Sequence, residues 1–116
     1  MMERICHLDE LIPYQGCAAL IGDQQVALFY LPECQPQVYA VQNWDPISKA
    51  YVLSRGIVGD VQGVPCVASP MYKQHFNLLT GHCLEEPDIQ IDCWPVVIEQ
   101  GRVYLVANEV VNALSA

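Results

Sequence analysis

Residues 68–76 read ASPMYKQHF: a small residue, Ser69, Pro70, a short charged bend, and then Phe76. The stretch sits where the chain could hold a metal loop, yet it contains no cysteine, and its one histidine, His75, is out of step for that role. On both sides lie short runs rich in Val, Phe and Leu, which favour a pleated, half-buried surface. What such a loop does when it offers no metal ligands decides how the rest of the chain is read.

Working outward, similar apolar runs recur at close intervals between turn residues, the pattern of an all-β sandwich or barrel. Strands are expected at 3–8, 17–21, 25–31, 37–42, 64–68, 75–79, 89–93, 95–99 and 102–107. Gly22-Asp23-Gln24 and Gln100-Gly101 are short enough to close tight hairpins. Eight prolines leave little room for long helices, because each removes a backbone donor and crowds the preceding turn. A brief helical turn is expected at 9–11, and the tail 108–116 as a short helix or a frayed end of a single domain, 1–116.

The middle differs. Positions 43–62, NWDPISKAYVLSRGIVGDVQ, combine turn signals with little alternation and read as an elaborated loop, followed by loops at 69–74 and 80–88. Asn43, Asp45 and Asp60 are expected to form Asx turns. Lys49, Arg55 and Lys73 lie in the first two loops, while Glu85, Glu86, Asp88 and Asp92 gather in or just after the third. Such a distribution fits either ordinary solvated loop tips or an electrostatically patterned docking face.

Over 116 residues, thirteen acidic and five basic side chains give a formal net charge of −8. That balance disfavours nucleic acid and anionic membrane surfaces as partners. No window approaches the roughly 20 apolar residues of a membrane span. The start, MMERICHLDE, carries charges where a secretory signal would be apolar, so a cytoplasmic location is expected. In that compartment the cysteines at 6, 17, 34, 66, 83 and 93 are expected to be free thiols. None is closer than ten positions to the next, so the paired spacing of structural zinc sites is absent. Those in apolar runs, Cys17, Cys66 and Cys93, read as small buried hydrophobes.

Catalytic frames are missing as well: there is no G-x-S-x-G elbow and no glycine-rich phosphate loop. Cys6-His7 and His82-Cys83 are adjacent pairs, but neighbours in a strand point to opposite faces. A thiol or zinc module would require the two segments to meet in space. Trp44, if exposed on a docking loop, would be a natural binding hot spot.

The stretches PYQGCAALIGDQQVALFYL, VYAVQNWDP, AYVLSRGIVGD, PCVASPMYKQHFNLLTGHCL and PVVIEQGRVYL cover most of residues 13–105. Their order resembles the Rieske fold, whose 2Fe-2S cluster hangs between a C-x-H loop and a C-x-x-H-G-x-x-F loop. The resemblance implies an all-β, Rieske-like (ISP-type) antiparallel β-sandwich or barrel with two extended apical loops. By its register Asp45 and Ile47 stand at the first ligand pair, Ser69 and Tyr72 at the second, and Phe76 at the motif's aromatic. None of the four replaces a thiolate or imidazole on iron in the ordinary way, so no cofactor is expected in this chain.

A family with this frame and no ligands is the small subunit of the cytosolic NAD(P)H-dependent nitrite reductase, and the chain is similar to its members. The resemblance implies an accessory subunit of an oxidoreductase. Its partner, the large subunit, would carry FAD, an iron-sulfur cluster and sirohaem and reduce nitrite to ammonium in nitrogen assimilation. Trp44, Lys49, Arg55, Tyr72 and Lys73 are the docking candidates. In place of a cluster, a buried Tyr72 packed on Ile47 is expected to hold the loops together, with an Asp45–Lys73 ion pair at the rim. The competing readings are a free-standing Rieske-type electron-carrier ferredoxin and a thiol or zinc module.

Overall fold

A computed structural model describes residues 2–106. Twelve strands follow one another: β1 (Met2–His7), β2 (Cys17–Ile21), β3 (Gln24–Tyr30), β4 (Val38–Gln42), β5 (Trp44–Asp45), β6 (Ala50–Tyr51), β7 (Ile57–Val61), β8 (Val64–Ala68), β9 (His75–Asn77), β10 (Cys93–Trp94), β11 (Val96–Glu99) and β12 (Arg102–Val106). The helical residues within this span are two 3-10 turns, Leu8–Glu10 and Leu53–Arg55. The expected tail at 108–116 lies outside the described residues.

All pairings are antiparallel, in sheets of order β1-β12-β11, β10-β4-β3-β2 and β7-β8-β9, with β5-β6 as a short ribbon. Side chains alternate across a strand, and β3 and β4 use both faces. Val26 and Leu28, with Val38 and Ala40, join Leu11, Trp94, Val103 and Leu105 in one cluster. Ala27 and Phe29, with Tyr39 and Val41, join Leu53, Val67, Phe76, Leu78, Cys83 and Ile91 in another. The first cluster fills the space toward the β1-β12-β11 sheet, and the second the space toward β7-β8-β9. Both candidate loops spring from the second side, one after β4 and one after β8.

The expected strands at 17–21, 64–68 and 95–99 appear nearly as read and the 75–79 run is shortened to β9, but of the expected 89–93 strand only Cys93 is in one, the two-residue β10. The segment 43–62 is not one loop. It holds β5, β6, a 3-10 turn and the five-residue β7, which pairs with β8 from Ile57↔Ala68 to Val61↔Val64. The connection is Gln62-Gly63, with φ of 53° and 84°, matching Gln100-Gly101 at 53° and 75°. Positive φ at both central residues gives a hairpin turn whose twist suits the flanking strands. Glycine supplies the second position without steric cost.

Candidate functional site

Two loops at one end of the molecule share a local design. In the first, Trp44 and Asp45 pair with Tyr51 and Ala50, and the turn between them closes as the Lys49 N–H donates to the Asp45 carbonyl at 2.7 Å. In the second, the Lys73 N–H donates to the Ser69 carbonyl at 3.0 Å, and the Ser69 N–H donates to the Gln74 carbonyl at 2.9 Å. Both lysines occupy the left-handed region, with φ of 60° and 66°. Each turn is therefore a residue with a short oxygen-bearing side chain, a proline, two more residues and a left-handed lysine: DPISK and SPMYK. Proline pre-sets φ for the first turn position, and Asp or Ser caps the amides that follow.

The side chains that begin these turns meet each other. Ser69 Oγ donates to Asp45 Oδ2 at 2.5 Å, and both residues are only 1% exposed. Asp45 also accepts from the Ile47 N–H at 2.9 Å, the Ser48 N–H at 3.3 Å and Ser48 Oγ at 2.8 Å. Ser69 Oγ in turn accepts from the Met71 N–H at 3.3 Å. Burial pushes the Asp45 carboxyl up, but the hydrogen bonds from Ser69, Ile47 and Ser48 together outweigh it and hold the group below the usual carboxylate range. A buried carboxylate with four donors is satisfied without a cation.

This arrangement corrects the expectation built on Tyr72. Its side chain is 61% exposed, because the inward position of the second loop belongs to Ser69 and the turn aims Tyr72 outward. Ile47 packs against the second core cluster instead of against Tyr72. The rim ion pair is replaced too: the oxygens of Asp45 are taken by Ser69, Ile47 and Ser48, and Lys73 ties its loop through its amide. Trp44 is half-buried, with Tyr51 edge-on at 4.8 Å between ring centroids. Arg55 is exposed on the 3-10 turn that packs against β2 and β3. Lys49, Tyr72 and Lys73 remain on the shared end, joined by Tyr51 and Met71, which the sequence reading left out. The repeated pattern D/S-P-x-x-K was the available signal for the twin turns.

Of the expected Asx turns, Asp45 forms one and Asp60 accepts from the Gly63 N–H at 3.1 Å, within the Gln62-Gly63 hairpin. Asn43 does something different. Buried at 3%, it donates to Gln25 Oε1 at 3.1 Å and accepts from the Ser54 N–H at 2.7 Å, fastening the first loop's base to β3 and to the 3-10 turn. The second loop leaves through His75, whose N–H and Nδ1 both engage the Glu85 carboxylate, at 2.9 and 2.7 Å. Cys17 is exposed, contrary to expectation, because β2 is an edge strand; Cys66, Cys83 and Cys93 are buried.

Ligation of a [2Fe-2S] cluster needs thiolates or imidazoles. At the four motif positions stand a carboxylate already bonded to a hydroxyl, an aliphatic chain packed in the core and an exposed phenol, a donor set that does not fit the cluster. Among the described residues, no group of three or more His, Cys, Asp or Glu could hold a metal ion. Cys6, His7, His82 and Cys83 therefore do not come together as such a group.

A family profile described as "Rieske-like [2Fe-2S] domain" matches residues 2–106. The Nitrite reductase (NADH) small subunit of Escherichia coli (strain K12) is 41% identical over 101 residues, 87% of this chain and 93% of that one. This chain belongs to the Rieske-like family of nitrite reductase small subunits. The solution structure of the Erwinia carotovora nitrite reductase [NAD(P)H] small subunit is 38% identical at a TM-score of 0.75, covering 99% of this chain and 88% of that chain. A ferredoxin of carbazole 1,9a-dioxygenase from Nocardioides aromaticivorans IC177 shares the fold at a TM-score of 0.77 and 20% identity, covering 90% of this chain and 96% of that chain. The chain also matches a Klebsiella oxytoca nitrite reductase large subunit, 41% identical over 103 residues, but spans only 10% of its length.

Proposed function

We propose that this chain is the accessory small subunit of a cytoplasmic NAD(P)H nitrite reductase. It supports reduction of nitrite to ammonium by docking to a large subunit that carries FAD, an iron-sulfur cluster and sirohaem, and it holds no redox centre of its own. The observation that carries the reading is the near full-length match to the E. coli small subunit. The match to part of a K. oxytoca large subunit supports it as well, since there a domain like this one is built into the same chain as the rest of that protein. The Asp45–Ser69 bond supports it further, as a direct tie between the two loops that needs no metal. Reading the chain as a free-standing electron carrier asks Asp45, Ile47, Ser69 and Tyr72 to ligate iron, which their chemistry opposes.

The test is co-purification. The chain, expressed beside an untagged large subunit, is expected to retain it on an affinity column, and the isolated small chain is expected to show no visible absorption of a cluster. Stoichiometric iron and sulfide in the isolated chain would restore the electron-carrier reading. Failure to retain the large subunit under any condition would remove the subunit reading.

A further inference from the structure

We infer that the end of the molecule formed by the DPISK and SPMYK turns docks onto a protein face that presents carboxylates around an apolar recess; this deepens the subunit reading above and rests on it. The chain carries thirteen acidic and five basic residues, yet residues 44–51 and 69–74 contain two lysines and one acid. That acid, Asp45, is 1% exposed and already bonded to Ser69, Ile47 and Ser48, so within these two segments the outward charge is that of Lys49 and Lys73, while the neighbouring carboxylate of Glu85 is engaged by His75. Their main chains hang from the carbonyls of Asp45 and Ser69, whose side chains bond each other, which places both lysines at the same end.

Turn chemistry does not explain why these are lysines. A left-handed residue is held more readily by glycine, asparagine or aspartate, and two independent turns accept lysine there instead. Tyr14, Gln62 and Gln100 take the same left-handed φ, so the conformation itself belongs to the turns; what distinguishes the two loop tips is that both place a lysine there. Around the lysines, Tyr51, Met71 and Tyr72 are 54%, 52% and 61% exposed. Aromatic and methionine side chains ringed by basic charge have the composition of an interface centre. Because Asp45 and Ser69 already fix the loops to one another, little ordering is needed on docking. The −8 body disfavours an extended polyanion such as nucleic acid or an anionic membrane, whereas the two lysines at this end match a protein face that is acidic only locally.

The experiment measures affinity of the full chain for the intact large subunit at low and high salt. Lys49→Asp with Lys73→Asp reverses the charge using a residue that tolerates the left-handed turn, and Met71→Ser with Tyr72→Ser removes the apolar contact. Arg4→Asp on β1 is the control. Each tip pair is expected to weaken binding by about tenfold or more, while unfolding midpoints stay at the wild-type value. The lysine pair is also expected to flatten the salt dependence, and Arg4→Asp to leave both unchanged. If wild-type binds and both tip pairs bind equally well with the same salt response, another face docks and this inference is overturned while the subunit reading stands. If Arg4→Asp weakens binding as much as the lysine pair, overall charge governs association and the inference also falls. If wild-type itself does not bind, the subunit reading fails with it.

Discussion

Ser69 and Asp45, 24 positions apart in the chain, are joined by a 2.5 Å hydrogen bond in which the hydroxyl donates to the buried carboxylate. Removing one such bond to a charged acceptor costs about 1.5–3 kcal/mol, so Ser69→Ala is expected to lose stability in that range by chemical denaturation. The effect carries a pH signature. Because the folded state holds the Asp45 carboxyl below its ordinary value, this stabilisation is complete above the unfolded carboxyl's pKa, about 4, and is lost as pH falls through the folded value. The gap between wild-type and Ser69→Ala should therefore narrow on acidification below about pH 4. Asp45→Asn should remove this site's share of the acid dependence. A gap that stays constant into acid would show that the bond contributes nothing through the carboxylate.

Tyr72 and Ile47 separate the two accounts of how the loops are held. Tyr72→Ala should change the unfolding free energy by less than about 0.5 kcal/mol, as exposed positions do. Ile47→Ala, which opens space against the second core cluster, should cost about 1–2 kcal/mol. The reverse ranking in a urea titration would reinstate the buried-tyrosine account.

Thiol reactivity reports burial. Cys17 lies exposed on the edge strand, while burial pushes the thiols of Cys66 and Cys83 up and that of Cys93 up to about 12. A thiol-specific chromophoric reagent at neutral pH should label Cys17 first. Cys66, Cys83 and Cys93 should react only after denaturant is added, because the thiolate is the nucleophile. Fast labelling of Cys93 in the native protein would contradict the packing.

Gly56 lies against the end of β8. A Cβ there would meet the Ala68 carbonyl oxygen at 2.4 Å and Val67 Cγ2 at 2.6 Å. Gly56→Ala must push apart the 3-10 turn and the strand that leads into the second loop, at a cost of about 1–3 kcal/mol in thermal or urea unfolding. A neutral outcome would mean that this junction yields easily.

Apolar density made β3, β4, β8 and β12 readable, since β3 and β4 bury both faces and only β12 alternates buried with half-buried positions. It failed at β7, where IVGDV is mostly exposed and its glycine and aspartate resemble turn residues. The clue was chemical: the Gln-Gly pair recognised as a hairpin at 100–101 recurs at 62–63. At the site, the register put Asp45 in the first ligand pair and Ser69 in the second but matched Asp45 with Lys73 instead of Ser69, since a contact across 24 residues leaves no local trace. Tyr72 misled because its ring area argues for burial, whereas the backbone turn decides its direction.

The two-faced use of β3 and β4 has a consequence for how the molecule comes apart. Leu28 and Phe29 are adjacent on one strand yet anchor opposite clusters. Neither half can melt without stripping a wall from the other, so the ribbon of β3 and β4 should be the slowest part to surrender its amide hydrogens to heavy water.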